Sequence, residues 1–90
     1  MSNGTVDLEQ IRKAWMEREE ELQKMVYVEE GHIVINVHYE YNIELGRCDT
    51  HAKIVAWAIH LTEKTWMTQE VLRRFMHLAM AEHGLEAPMP

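Results

Sequence analysis

The chain has 90 residues, of which 47% are hydrophobic, and its formal net charge is -6. This length fits one domain and excludes a two-domain enzyme, while the hydrophobic content excludes a disordered chain. The net negative charge argues against strong electrostatic binding to nucleic-acid phosphates. No apolar run approaches the roughly 20 residues of a membrane helix.

The first predicted helix covers residues 8–25. Asp7 is its predicted N-cap, and Gln10 follows three residues later, as in a capping box. One narrow stripe of apolar residues, interrupted by Arg18, is expected to face the core. The members of the stripe are Leu8, Ile11, Trp15, Leu22 and Met25. The opposite face is acidic, and residues 1–31 hold eight acidic and four basic side chains, which is four of the six excess negative charges.

Residues 26–45 are predicted to form an antiparallel hairpin. Gly31 supplies the positive φ that a tight turn needs, so the turn is placed at Glu30-Gly31. A two-residue loop there puts Val28 opposite Ile33 on one apolar face. The hydrophobic pattern and the turn therefore agree on one register.

The second strand of this hairpin is predicted to be long. Hydrophobic and polar residues alternate from Ile33 to Leu45 with no Pro or Gly between them, which predicts one strand of roughly 40 Å. The first strand is too short to pair with the half that begins at His38. Because an unpaired edge invites aggregation, we expect a homodimer in which this half pairs with its copy. The dimer strand comprises Tyr39, Tyr41, Ile43 and Leu45. The alternative is a monomer whose first helix covers the strand.

Two further helices are predicted at residues 51–63 and 69–83. The predicted N-caps are Asp49 or Thr50 for the second helix and Thr68 for the third. The core stripe of the second helix is expected to be widened by Val55 and Ile59. The order is therefore α-β-β-α-α in a single domain over residues 1–90. This predicts an α+β fold with helices packed on one face of the hairpin and a sheet continued across a homodimer.

The sequence also predicts a cytoplasmic protein without catalytic residues. We expect no signal peptide, because no basic segment followed by an apolar stretch is found before the first helix, and a single cysteine allows no internal disulfide. Cys48 and His51 could form a thiol–imidazole dyad at a helix start, but no orienting group accompanies them. The alternative is a surface cysteine in a turn, so no catalytic residue is assigned and we expect no enzyme.

Metal binding has few candidates. His38 and Glu40 are expected on the polar face of the long strand, and Cys48 and His51 offer mixed ligands. No second closely spaced pair follows, so we expect no metal site and no cofactor. The alternative is a set of scattered surface histidines.

Tryptophan, methionine and arginine residues near the third helix are candidates for partner binding. Trp66 and Met67 lie in the connector before that helix. They either plug the end of the core or stay exposed with Met76 and Met80 as an adaptable patch. The candidate partner-binding residues are Trp66, Met67, Arg73, Arg74, Met76, His77 and Met80.

The layout of residues 38–85 resembles a ribbon-helix-helix domain, with a strand at 38–45, a helix after Asp49-Thr50 and a helix after Thr68. This resemblance implies a dimer whose polar strand face reads the DNA major groove. That face carries two carboxylates here, Glu40 and Glu44, which oppose DNA phosphates. A helix-turn-helix would instead use the exposed face of the third helix.

A second resemblance lies at residues 63–68 and 72–76. It is similar to small accessory proteins of bacterial mobile elements such as prophages, plasmids and integron cassettes. This resemblance implies a bacterial habitat and no chemistry. The leading expectation is a homodimeric interaction protein that binds a protein partner through its acidic first helix or its Met/Trp/Arg surface. The alternative is a DNA-binding regulator.

Overall fold

The computed structural model describes residues 8–86, so the predicted cap Asp7 lies outside the described residues. The order is a helix, an antiparallel sheet and two helices, which confirms the α+β class. The helices are α1 (Leu8–Met25), α2 (His51–Leu61) and α3 (Gln69–Glu82). The strands are β1 (Val26–Glu29), β2 (His32–Asn36) and β3 (Glu40–Glu44), and a 3-10 turn covers Leu45–Arg47.

The first hairpin has the predicted register. Val28 pairs with Ile33 and Val26 pairs with Ile35 between β1 and β2. Glu30 and Gly31 both have positive φ, 48° and 78°, as a two-residue hairpin loop of the primed type requires. The prediction succeeds because the turn chemistry and the apolar alternation select the same pairing.

The prediction of one strand from Ile33 to Leu45 is wrong. The chain turns at residues 37–39, and β3 folds back antiparallel on β2, with Asn36 opposite Glu40 and Ile33 opposite Ile43. A loop of three residues pairs odd-numbered residues of β2 with odd-numbered residues of β3, and even-numbered with even-numbered. The alternation of hydrophobic and polar residues therefore continues unbroken through the turn. None of the three loop residues has a positive φ, so neither glycine nor asparagine marks the turn.

The second hairpin changes the argument for the dimer strand. The sequence pattern predicted that the segment after His38 pairs with its copy in a second chain, but this segment pairs with β2 of its own chain. β3 thereby becomes one edge of a sheet ordered β1-β2-β3. Ile43 is buried and Tyr41 is half-buried, whereas Tyr39 lies exposed in the turn. Leu45 begins the 3-10 turn after β3 and is half-buried.

The core lies between one face of the sheet and the helices. Both predicted threonine caps form, because the hydroxyls of Thr50 and Thr68 each accept a backbone N–H at 3.2 Å. Phe75 of α3 is fully buried. The largest fully buried side chains around it are Val26, Ile33, Ile35, Ile43, Ile54, Leu61 and Val71.

Several residues that were expected in the core are exposed. Trp15 of α1 is 68% exposed, and on α2 Val55 and Ile59 are 48% and 63% exposed. α1 has 18 residues, of which Leu22 is the only one that is buried. An 18-residue helix is about 27 Å long, and only its C-terminal part reaches the core. The outer two-thirds of α1 therefore carry an apolar stripe that the described chain does not cover.

Candidate functional site

An exposed apolar stripe on α1 is the first part of the candidate site. Leu8, Ile11 and Trp15 recur at helical spacing on one face, and their exposed fractions are 74%, 39% and 68%. We call these three residues the α1 stripe. Leu22 continues the same face into the core. Exposed apolar side chains that line up in this way mark contact surfaces more often than isolated ones do.

A groove between α1 and α3 forms the second part of the site, and we call it the α1–α3 groove. Its volume is about 760 Å³. The α1 wall consists of Ala14, Trp15, Arg18, Glu19 and Leu22. The α3 wall consists of Glu70, Arg73, Arg74, His77, Leu78 and Ala81. The α1 stripe therefore leads directly into the groove through Trp15.

An ion pair between Arg18 and Glu70 bridges the two helices. The Arg18 Nε donates to Glu70 Oε2 at 2.6 Å, and a second guanidinium nitrogen donates to Oε1. This hydrogen bonding lowers the pKa of the Glu70 carboxyl and raises the pKa of the Arg18 guanidinium. The pair explains why a charged residue interrupts the apolar stripe of α1. Since both side chains are about half exposed, its main effect is to orient α1 against α3.

Three of the predicted partner-binding residues line this groove. Arg73 and His77 are exposed, whereas Arg74 is half-buried and its Nε donates to the Val26 backbone oxygen at 2.8 Å. Arg74 therefore ties α3 to β1. Arg73 and His77 are the members of this set that stay accessible to a partner.

The methionine and tryptophan residues near α3 do not form an exposed patch. Met80 is buried, so the expectation that it is exposed is wrong. It belongs to the same buried core cluster as Phe75. Met67 and Met76 are half-buried and pack against the core.

Trp66 plugs the end of the core, which was one of the two predicted alternatives. Its ring is half-buried and lies 5.6 Å from the Tyr39 ring and 6.0 Å from the Tyr41 ring, measured between centroids. Lys64 lies over the Tyr41 ring at 5.3 Å. The aromatic cluster therefore supports the second hairpin.

Cys48 and His51 do not form a dyad of the predicted kind. Cys48 is fully buried, so the expected surface cysteine is also wrong. Its Sγ donates to the Leu45 backbone oxygen at 3.5 Å, and burial raises the pKa of the thiol. The His51 Nε2 lies 2.8 Å from the Glu86 backbone oxygen. A thiol with a raised pKa holds little of the thiolate that nucleophilic or metal-binding chemistry requires.

His38 and Glu40 do not share a strand face. His38 lies in the turn, edge-on to Tyr39 at 5.9 Å, whereas Glu40 is in β3 and accepts a hydrogen bond from Asn42. The break of the long strand is the reason for this difference. Among residues 8–86, no three His, Cys, Asp or Glu side chains come together as a metal site.

No family model, curated protein or solved structure matched this chain. Within the described range, no helix is long and apolar enough to cross a membrane.

Proposed function

We propose that this protein is a non-enzymatic, homodimeric interaction protein of the cytoplasm. A protein partner binds along the α1 stripe and the α1–α3 groove. The observation that carries the proposal is the exposure of the apolar face of α1, in which only Leu22 is buried. The buried Cys48 and the hydrogen-bonded His51 support a role without catalysis.

The chemistry of the groove favours an amphipathic helix as the bound segment. Both walls of the groove carry apolar side chains, which are Trp15 and Leu22 on α1 and Leu78 and Ala81 on α3. Arg73 at the rim provides a cation for a carboxylate of the partner. Helices that bind in grooves use apolar side chains at i, i+3, i+4 and i+7 as anchors. Of the two surfaces proposed from the sequence, the arginine face of α3 lines this groove, whereas Glu19 is the one acidic residue of α1 that lines it.

Site-specific photocrosslinking tests this function. A photoreactive amino acid at Leu78, in the groove, is compared with the same amino acid at Ile59, on the exposed face of α2. In an extract of the organism that carries the gene, we expect heterologous proteins to be captured from position 78 and not from position 59. Trp15→Ala should abolish the capture. Equal capture at both positions, or none at position 78, contradicts the proposal.

DNA binding through α3 is the second candidate function. Arg73 and His77 are exposed one turn apart on that helix, which favours it. The bond of Arg74 to the backbone of β1 leaves α3 fewer free cations for phosphates. A mobility shift with duplex DNA at low salt supports this function, provided that added salt weakens it steeply. No shift at low salt excludes it.

The homodimer is also a proposal, and the edge of β3 is one place for it. β3 is an edge strand whose outward Glu40 and Glu44 are exposed. Charged edge residues commonly prevent strand pairing. The α1 stripe and the α1–α3 groove are therefore the second candidate for the dimer contact.

A further inference from the structure

The α1 stripe has the spacing of a helix–helix seam. Leu8, Ile11 and Trp15 follow each other at steps of three and four, and Leu22 comes one heptad after Trp15. Leu22 is buried against its own chain, whereas the other three are exposed. The apolar face of α1 is therefore buried in the core at Leu22 and exposed at the α1 stripe.

The charge of α1 changes sign along the helix. Residues 8–16 contain Arg12, Lys13 and one carboxylate, whereas residues 17–25 contain four carboxylates and two cations. An antiparallel pair of α1 helices places each basic half against an acidic half. A parallel pair would place acidic against acidic. The helix is thus complementary to a reversed copy of itself.

Arg12 and Glu19 are placed to make the contacts that fix this orientation. At about 100° per residue, both flank the α1 stripe on the same side. In an antiparallel pair centred near Trp15, Arg12 of one protomer lies beside Glu19 of the partner subunit. A two-fold axis repeats this contact, because an isologous interface makes every contact twice.

The α1–α3 groove completes the interface. The outer half of the partner helix would place its apolar side chains in the groove, against Leu22 and Leu78. Glu19 lines the groove as well, so it lies where Arg12 of the partner subunit would arrive. Each protomer then contributes one helix and receives the other.

The exposed area is sufficient for a specific but weak dimer. Taking about 100 Å² for an aliphatic side chain and about 200 Å² for a tryptophan, the α1 stripe exposes roughly 500 Å² of apolar surface over two copies. Interfaces are about 60% apolar, so the stripe alone corresponds to a total buried area of about 800 Å². The side chains that line the α1–α3 groove add to this area and bring it towards about 1,000 Å², at which specific interfaces begin.

We propose that a second copy of this chain occupies the α1 stripe and the α1–α3 groove, with the two α1 helices antiparallel. This inference rests on the proposed function in that it uses the same surface. Self-association and partner binding then compete for it. The β3 edge and the outer face of α2 are the rival contacts.

Sedimentation over a range of concentrations tests the inference on the full chain. We expect a monomer–dimer equilibrium, and Trp15→Ala should weaken it by about 30-fold or more, as for a central tryptophan of an interface. Ile59→Ala is the matched control because Ile59 is 63% exposed on α2, and it should change the dissociation constant less than about 2-fold. Circular dichroism checks that both variants fold.

Charge reversal tests the orientation independently of Trp15. Arg12→Glu should weaken the dimer about 10-fold, since two contacts change from attraction to repulsion. The double variant Arg12→Glu/Glu19→Arg should restore the affinity. A monomer at all concentrations overturns the inference. So does a dimer that Trp15→Ala leaves intact, or a double variant that stays as weak as Arg12→Glu.

These outcomes separate the two proposals. Capture of heterologous proteins at position 78 by a chain that never dimerises supports the proposed partner binding and overturns both the homodimer and the inference. A dimer with the expected variant pattern that captures only its own copy supports the inference and contradicts the function.

Discussion

Substitution of Trp15 by alanine should change the folding stability of the monomer only slightly. Trp15 is 68% exposed, so of about 200 Å² for a buried tryptophan the monomer covers roughly 65 Å². At ~25 cal/mol per Å², that area contributes at most about 1.6 kcal/mol. Alanine also has the higher helix propensity, by up to ~0.7 kcal/mol. The expected loss is therefore about 1 kcal/mol and no more than about 1.6 kcal/mol.

Phe75→Ala is the reference for this measurement. Phe75 is fully buried, and such a truncation costs about 3–5 kcal/mol. Urea denaturation followed by circular dichroism gives both free energies of unfolding by linear extrapolation. The protein must be dilute, because dimerisation would add stability that depends on concentration. A loss of about 3 kcal/mol or more for Trp15→Ala in dilute solution would place Trp15 in the core and refute the position of α1.

Three further predictions follow from the packing and the ion pair. Ile43→Ala should cost about 2–5 kcal/mol in urea denaturation of the dilute monomer, because β3 packs within its own chain; a negligible loss would contradict the second hairpin. The Glu70 carboxyl should titrate below an ordinary glutamate in NMR, and Arg18→Ala should raise its pKa. The ionised Glu70 carboxylate then stabilises the folded state above about pH 4.3, and this stabilisation is lost as the pH falls through the lowered pKa. A Glu70 titration that is unchanged in Arg18→Ala would contradict the ion pair between α1 and α3. Cys48 should react with a thiol reagent mainly on unfolding, and rapid labelling of the native protein would contradict its burial.

The first half of the fold could be predicted from local patterns. The bounds of α1 and the register of the first hairpin depend on neighbouring residues, because helical spacing and turn chemistry are local. β3 could not be predicted, because a loop of three residues with no positive φ leaves the alternation unbroken from Ile33 to Leu45. The pattern indicates which side chains share a face and not whether the strand turns.

The site was only partly predictable, for a related reason. An apolar stripe such as Leu8, Ile11 and Trp15 looks the same whether its own core or another chain covers it. The bridge between Arg18 and Glu70 joins residues 52 positions apart, which no local spacing reveals. Arg73 and His77 were identified as candidates, but their position opposite Trp15 across a groove depends on how α1 packs against α3.

The indole N–H signals in NMR spectra of a dilution series test the central claim most directly, namely that Trp15 lies in a contact surface. Trp57 is the internal reference, because its Nε1 donates to the Arg47 backbone oxygen at 3.1 Å within the same chain. Between about 1 mM and about 1 μM, where a weak dimer dissociates, we predict that the Trp15 signal shifts and the Trp57 signal stays. A Trp15 signal that does not depend on concentration, with Trp57 or Trp66 shifting instead, would contradict the account.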